Sequence, residues 1–419
     1  VFLLIYNIAI RLYGVAVRIA SWWNPKAKLL VDGRADLDEK LYSEMNGNTR
    51  PVIWMHCASL GEFEQGRYLL ENLRITYPDC CIVISFFSPS GYEIMKNYSG
   101  ADHIFYLPLP TKENSRKFIE LVNPKLVLWI KYEYWYHFLS ELNKRNVPVL
   151  LISAIFLREY VFFRWYGPLY KKMLMFFRWI FVQNPESEKR LKSIGFGKNV
   201  SVNGDTRFDR VVDIASNFTE LPGIAEFCGD HKTIVAGSTW EADEEELDHF
   251  ANLHTENRFI IAPHEVDEQH LKDIEKLFRN SIRYSVYIRS PDQHAGKHIM
   301  LIDNIGMLSR LYKYATVVYV GGGFGDDGIH NVLEAAVYGR PVIFGPVFNR
   351  FSEAIGLLEE GGAFTVDNAL ELESKLNELL ENPKLYQESG AAAKKYVNDN
   401  TGATGNIMRF IQENRLLTN

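Results

Sequence analysis

The feature that most constrains this chain is a series of twelve apolar runs of strand length, separated by amphipathic stretches of helix length. The first half carries VIWMHC, CIVISFF, HIFYLPL, LVLWI, VPVLLIS and WIFVQ. The second half carries TIVAGS, RFIIAP, YSVYIR, IMLID, TVVYVGG and PVIFG. A strand apolar on successive residues has no face left for water, so it belongs in a parallel sheet covered by helices on both sides. Two sets of six predict an α/β architecture of two doubly wound, Rossmann-like domains facing across a cleft. A length of 419 residues fits the same division, since single cores stop growing well below it. The join falls near VNGDTRFDRVV, which gives domains at 26–208 and 209–395, a leading helical segment at 1–25 and a closing helix at 396–419.

Charge is divided unevenly. Residues 1–200 hold 26 Lys/Arg against 18 Asp/Glu, and residues 201–419 hold 20 against 34. A basic half beside an acidic half predicts that one domain meets an anionic partner. That partner is not nucleic acid, because the cations lie among aliphatic and aromatic runs rather than along a polar stripe. Four cysteines, Cys57, Cys80, Cys81 and Cys228, form no metal-binding pattern and read as core thiols.

The leading segment VFLLIYNIAIRLYGVAVRIASWWNPKAK is apolar, is interrupted by Arg11 and Arg18, and has no signal-peptide cleavage site. Trp22, Trp23, Lys26 and Lys28 then make an aromatic and cationic border of the kind found at bilayer interfaces. Residues 1–25 therefore read as a membrane anchor, spanning with snorkelling arginines or lying in the interface; the competing reading is a buried first helix. FLREYVFFRWYGPLYKKMLMFFRW (156–179) has the same two readings, a basic aromatic face for anionic lipid or a core helix with snorkelling cations.

Two motifs carry chemistry. ASLGEFEQG (58–66) puts Glu62 where a buried strand turns into a helix. An acid there either complements the helix dipole or is a catalytic group at the top of a sheet. TVVYVGGGFGDDGIHNVLEAAVYGRPVIFGP (316–346) reads as strand, glycine-rich loop, helix and strand. Gly323, Gly325 and Gly328 satisfy GxGxxG, yet the acid expected about 20 residues on is missing, which argues against a dinucleotide. The loop still offers backbone amides to a phosphate, with His330 and Asn331 as side-chain donors and Glu334 as acceptor for ribose hydroxyls. There is no Walker run, so the site suits a nucleotide sugar. The one Asp-x-Asp run, Asp36 to Asp38, lies in a polar stretch, so no metal is expected. Arg207 is placed to stabilise a leaving phosphate, or else to pair with Asp205 or Asp209.

Together these motifs resemble the Kdo (3-deoxy-D-manno-octulosonic acid) transferases of lipopolysaccharide assembly. ASLGE is similar to that family's small-Ser-x-Gly-Glu turn, and GDTRFD to its Gly-Asn-x-Lys-Phe-Asp. GGGFGDDGIHNVLEAAVYGRPVIFGP is similar to its Gly-Gly…Gly-x-His-Asn-x-Leu-Glu…Gly-Pro run. The resemblance implies the B-type glycosyltransferase fold and inverting transfer of Kdo from CMP-Kdo to a lipid A precursor. It implies anchoring at the cytoplasmic side of the bacterial inner membrane, with no cofactor. Glu62 would be the general base, and Arg207 would stand for the family's lysine on the phosphate or the Kdo carboxylate. CMP would be held by Pro263, His264, Ile305, Gly306, Met307 and the run Asn331, Val332, Leu333, Glu334. The family's Glu-Thr-Glu-x-Trp-Pro is KYEYWY here, so Glu133 keeps the second acid and Lys131 replaces the first. PHEVDE shortens the family's Pro-Arg-His-Pro-Glu-Arg, and GPVFNRFSEA stretches its Asn-Phe-x-Glu by one residue. A UDP-sugar transferase or 2-epimerase of the same fold is the alternative enzyme, and a non-catalytic nucleotide sensor the alternative class.

Overall fold

A computed structural model describes residues 2–294 and 296–417. They form two compact units, one running to Asp209 and resuming at Gly402, the other spanning Arg210–Thr401.

The first unit is built on β1 (Val52–Cys57), β2 (Cys81–Phe86), β3 (His103–Tyr106), β4 (Pro124–Ile130), β5 (Val149–Ala154), β6 (Trp179–Val182) and β7 (Val200–Val202). They form one parallel sheet ordered β3-β2-β1-β4-β5-β6-β7. Side chains alternate across it, so each face buries its own core. Val52, Trp54, Val83, Val127 and Trp129 lie on one side, and Ile53, Met55, Ile82, Ile84 and Leu128 on the other. Cys80 and Cys81 fall on opposite faces, both buried and unbridged.

The second unit carries β8 (Thr233–Thr239), β9 (Arg258–Pro263), β10 (Ser281–Arg283), β11 (Ile299–Leu301), β12 (Val317–Val320), β13 (Val342–Phe344) and β14 (Ala363–Thr365). They are ordered β10-β11-β9-β8-β12-β13-β14, again parallel throughout. Each sheet thus has seven strands where the apolar runs predict six. The added ones, VSV and AFT, are three residues long and too polar to register as apolar runs. YSVYIR is corrected as well: the strand is Ser281–Arg283, and Tyr284–Tyr287 is helical. Asp303 fixes that change by accepting from the Ser285 N–H at 3.0 Å and from the Ser285 hydroxyl.

The helix Phe2–Ala20 is long and apolar enough to cross a membrane by length and composition. One side of it packs on the first unit. Tyr6 meets the rings of Tyr136 and His137, and the Asn7 side chain hydrogen-bonds His137 Nε2 at 2.6 Å. Gly14 allows that approach, since a Cβ there would lie 2.8 Å from a Leu109 methyl. The other side exposes Leu4, Ile5, Ile8, Leu12, Val15 and Ile19, followed by Trp22 and Trp23. Segment 156–179 divides between its two readings. Phe156, Phe162, Met173, Leu174 and Phe177 are buried with Tyr134, while Trp165 and Met175 are exposed.

The chain end completes the first unit. Asp209 accepts from the Gly402 and Thr404 N–H groups at 2.5 and 2.6 Å, holding the start of the helix Ala403–Glu413. Ile407 and Ile411 of that helix enter the core against β1 and β2 residues, and Phe410 packs on Trp179. Ile407→Ala is therefore expected to destabilise this unit by roughly 2–5 kcal/mol. Denaturant unfolding followed by tryptophan fluorescence checks it, since seven of the eight tryptophans precede Asp209.

Candidate active site

In the first sheet the chain leaves β1 toward β2 and returns on its other side as β4. Open α/β sheets form a crevice at such a reversal, at the carboxyl ends of the strands. Both acids predicted from sequence lie there. β1 ends at Cys57, and the helix Leu60–Thr76 opens after an extended Ser59 (φ −142°), which puts Glu62 in its first turn. Glu62 is only 8% exposed. Its Oε2 accepts the Ala58 N–H at 2.5 Å, and the Tyr132 backbone N–H, just past β4, also supports the carboxylate. Burial outweighs both hydrogen bonds. Reinforced by the charge of Glu133 and opposed by Lys131, it pushes the Glu62 carboxyl up to about 7. The capping geometry and the perturbed acid coexist in one residue, and a carboxyl poised there suits a general base.

Glu133 is held by a buried chain of donors. Its Oε2 receives His56 Nε2 at 2.8 Å and Trp135 Nε1 at 3.0 Å, and Trp129 Nε1 donates to its carbonyl. His56 Nδ1 lies 2.9 Å from Ser85 Oγ, which accepts from Trp54 Nε1 at 2.8 Å. The groups are all satisfied when the Ser85 proton goes to Nδ1, leaving Nε2–H for Glu133. His56, Ser85, Trp54 and Trp135 had no sequence signal beyond lying in or beside apolar runs.

Arg207 binds its neighbour. Its Nε and Nη2 donate to Asp205 Oδ2 at 3.0 and 2.8 Å, its backbone N–H donates to Oδ1 at 2.9 Å, and Gln183 Nε2 adds a fourth bond. Burial pushes the Asp205 carboxyl up, but Arg207, with help from Lys131, holds it below the ordinary Asp value. The pairing weighed in the sequence is thus realised with Asp205, while Asp209 serves the Ala403–Glu413 helix instead.

In the second unit the equivalent reversal lies between β8 and β12. Its chemistry centres on Trp240, which sequence reading missed. Trp240 Nε1 donates to His330 Nε2 at 3.0 Å, and His264 packs against both rings, 4.3 Å from His330 and 4.7 Å from Trp240 by centroids. Burial, reinforced by His264, pushes His330 down to about 4, so the ring is neutral with its proton on Nδ1. Glu334 accepts from Asn331 Nδ2 at 3.1 Å. Burial raises its carboxyl, opposed by Arg210, a second residue without sequence signal. Pro263, Val332 and Leu333 are buried beside these groups in sequence, whereas Ile305 and Gly306 are exposed on the loop after β11 and Met307 turns inward.

The glycine-rich loop differs from its expected use. The Gly322 N–H donates to Asp243 Oδ2 at 2.8 Å, joined by the Trp240 N–H, the Tyr319 hydroxyl and the Phe324 backbone. Those loop amides serve an internal carboxylate instead of a phosphate. Gly323 is required by a close approach, since a Cβ would lie 2.6 Å from the Gly345 backbone. A cavity of about 520 Å³ beside the loop is lined by Glu241, Glu265, Asp267, Asp326 and Asp327, which disfavours a phosphate in that cavity. No cluster of metal-binding side chains occurs among the described residues.

The raised Glu62 carboxyl has a consequence for stability. The folded chain keeps a proton that the unfolded chain loses, so this contribution is full below about 4.5 and is lost as pH rises through about 7. Glu62→Gln is expected to match the parent at pH 4 and to exceed it by roughly 1–3 kcal/mol at pH 8. Melting temperatures at the two pH values check this.

Comparisons with known proteins bear on the family and the fold. Residues 35–210 match the family described as 3-deoxy-D-manno-octulosonic-acid transferase (kdotransferase). A 3-deoxy-D-manno-octulosonic acid transferase of Aquifex aeolicus is 28% identical over 80% of this chain and 87% of its own length. A Haemophilus influenzae protein of the same name is 25% identical over 86% of each. A bifunctional glycosyltransferase/methyltransferase of Fusobacterium nucleatum is 28% identical over 99% of this chain, which spans 61% of that protein. Among solved structures, a Neisseria meningitidis UDP-GlcNAc 2-epimerase superposes with TM-score 0.62 at 14% identity, covering 86% of this chain and all of that one. MurG of Acinetobacter baumannii superposes with TM-score 0.53 at 14% identity, covering 87% and 99%. These structures share the B-type fold of two doubly wound domains. Over residues 35–210, then, the chain matches the Kdo transferase family, and relatives bearing that name span most of its length, in keeping with the acids at the β1–β4 reversal.

Proposed function

We propose that this chain is an inverting, metal-independent enzyme that transfers Kdo from CMP-Kdo to a lipid A precursor, with Glu62 as its general base. The observation that carries this reading is the Glu62 carboxyl, buried at the β1–β4 reversal and poised near neutrality. The acceptor hydroxyl gives its proton to Glu62 as its oxygen bonds to the anomeric carbon of Kdo. The bond from that carbon to the CMP phosphate breaks, and configuration inverts. A phosphate leaving group needs little acid help, so one carboxylate suffices where glycosidases use two. CMP is held on the second unit by Pro263 and His264, by Ile305 to Met307, and by Asn331 to Glu334. Neutral His330 donates from Nδ1, and Glu334 accepts from ribose hydroxyls.

The acceptor's lipid nature fits the helix Phe2–Ala20, whose packed side is polar enough to bind the first unit and whose outer side is apolar. On this reading the helix lies against the cytoplasmic face of the inner membrane, with Arg11, Arg18, Lys26 and Lys28 among anionic headgroups. Ile8→Asp with Leu12→Asp is expected to release the protein from phosphatidylglycerol vesicles in a flotation assay. Both side chains are exposed, so the melting temperature stays at the parent value.

The direct test is a transfer assay with CMP-Kdo generated in place, lipid A precursor in detergent, and EDTA present. Mass spectrometry should show Kdo added by the parent, and Glu62→Gln should slow transfer by a factor of about 100 to 10,000. No product from the parent, with UDP-sugars rather than CMP raising its melting temperature, would replace this reading with a UDP-sugar enzyme.

A further inference from the structure

Two of the places where the chain departs from the Kdo transferase motifs, 131 and 205–207, interact in the first unit. Lys131 stands where the motif has an acid, Asp205 where it has an amide, and Arg207 where it has a lysine. In the structure Arg207 is committed to Asp205 by three hydrogen bonds, and Asp205 feels Lys131 as well. A cation at 131 and an acid at 205 thus stand close enough to interact.

Lys131 is also placed unusually. It follows the last residue of β4 with φ +56°, a left-handed conformation that a lysine rarely adopts. Its N–H donates to the Ile152 carbonyl of β5, which anchors the turn to the neighbouring strand. The next residue along is Tyr132, whose backbone N–H supports Glu62. The Lys131 ammonium lies 5.0 Å from the Tyr132 ring centroid, on the same turn.

We propose that Lys131 is the positioning residue of the Glu62 site: its left-handed turn delivers the Tyr132 amide to the Glu62 carboxylate, and its ammonium supplies the positive field in which Glu62 works. This rests on Glu62 as base. The groups that sense the Glu62 charge are Cys57 at the end of β1, Tyr132 and Tyr134 beyond β4, and Glu133 and Lys131 of the same turn. Glu133 is an acid, and the three others are a thiol and two phenols. Lys131 is the group in that set whose charge favours an ionised Glu62. Asp205 in turn pairs with Arg207 and lies in the field of Lys131.

The experiment is the pH profile of kcat/KM for transfer by the full chain. A general base must be deprotonated, so activity rises as pH passes the Glu62 value and levels off above it. Removing a nearby opposite charge raises a carboxyl by about one unit or more. Lys131→Gln should therefore move the acid limb up by about one pH unit. At pH 7 that is a loss of about fivefold, closing to near parent activity at pH 9. Lys131→Arg should keep the parent limb. Lys131→Glu should lose more than Lys131→Gln and recover in part with Asp205→Asn, because Asp205→Asn removes one acid that the new carboxylate would face. Melting temperatures establish that each variant is folded.

An acid limb that stays in place in folded Lys131→Gln, with a loss equal at every pH, overturns the proposal and leaves Lys131 a structural residue. Additive effects of Lys131→Glu and Asp205→Asn overturn the coupling. Failure of the underlying reading looks different: Glu62→Gln would then transfer as fast as the parent.

Discussion

The structure of the first unit turns on a single buried carboxylate that bridges two strand ends. β1 and β4 are paired in parallel along their length, and the chain leaves both at the same end. Glu62 accepts a backbone N–H from the segment after β1 and is supported by another from the segment after β4. Both amides lie past the last ladder bonds, where a sheet leaves donors without partners. The carboxylate answers that need and is desolvated by doing so. Its raised proton affinity is thus a product of the fold, not an added device. The same geometry that closes the sheet end pushes this carboxyl up to about 7.

Other buried charges follow the rule that ionised groups leave water only with partners. Glu133 is met by a histidine and an indole, Asp205 by a guanidinium and an amide, and Asp243 by four donors. In the second unit this economy reassigns the glycine-rich loop. Gly322 has φ +90° and turns its N–H to Asp243, while Gly323 brings two backbones into contact with no room for a Cβ. Glycine there permits close packing first. Polar groups beyond that contact are the stacked His264 and His330, the Asn331 amide and the Glu334 carboxyl, whose rise Arg210 opposes.

Charge on the larger scale is consistent with the same division of labour. The basic first half includes the helix Phe2–Ala20, with an apolar outer side, and a stretch where Phe156, Phe162 and Phe177 are core while Trp165 is exposed. Cations carried between such residues keep their heads in water while their stems cover apolar surface. The acidic second half carries five carboxylates in the lining of one cavity.

The amino-acid sequence by itself determined the architecture, because continuous apolar strands can be solvated on neither face and admit only a covered parallel sheet. It also placed Glu62 at a strand end, since strand-to-helix turns are local and their glycines and small residues are readable, whereas Glu133 was legible only through the motif it resembles. It missed β7 and β14, whose three residues are stabilised by neighbours rather than by their own apolarity. It could not rank Arg207 against its pairing with Asp205, nor find Trp240, Arg210, His56 or Ser85, whose partners lie far along the chain, 77 residues for His56 and 90 for Trp240. Tertiary structure alone decided which groups are desolvated together, and that is what set the proton affinities. Burial is a property of the packed chain, whereas periodicity is a property of the chain alone.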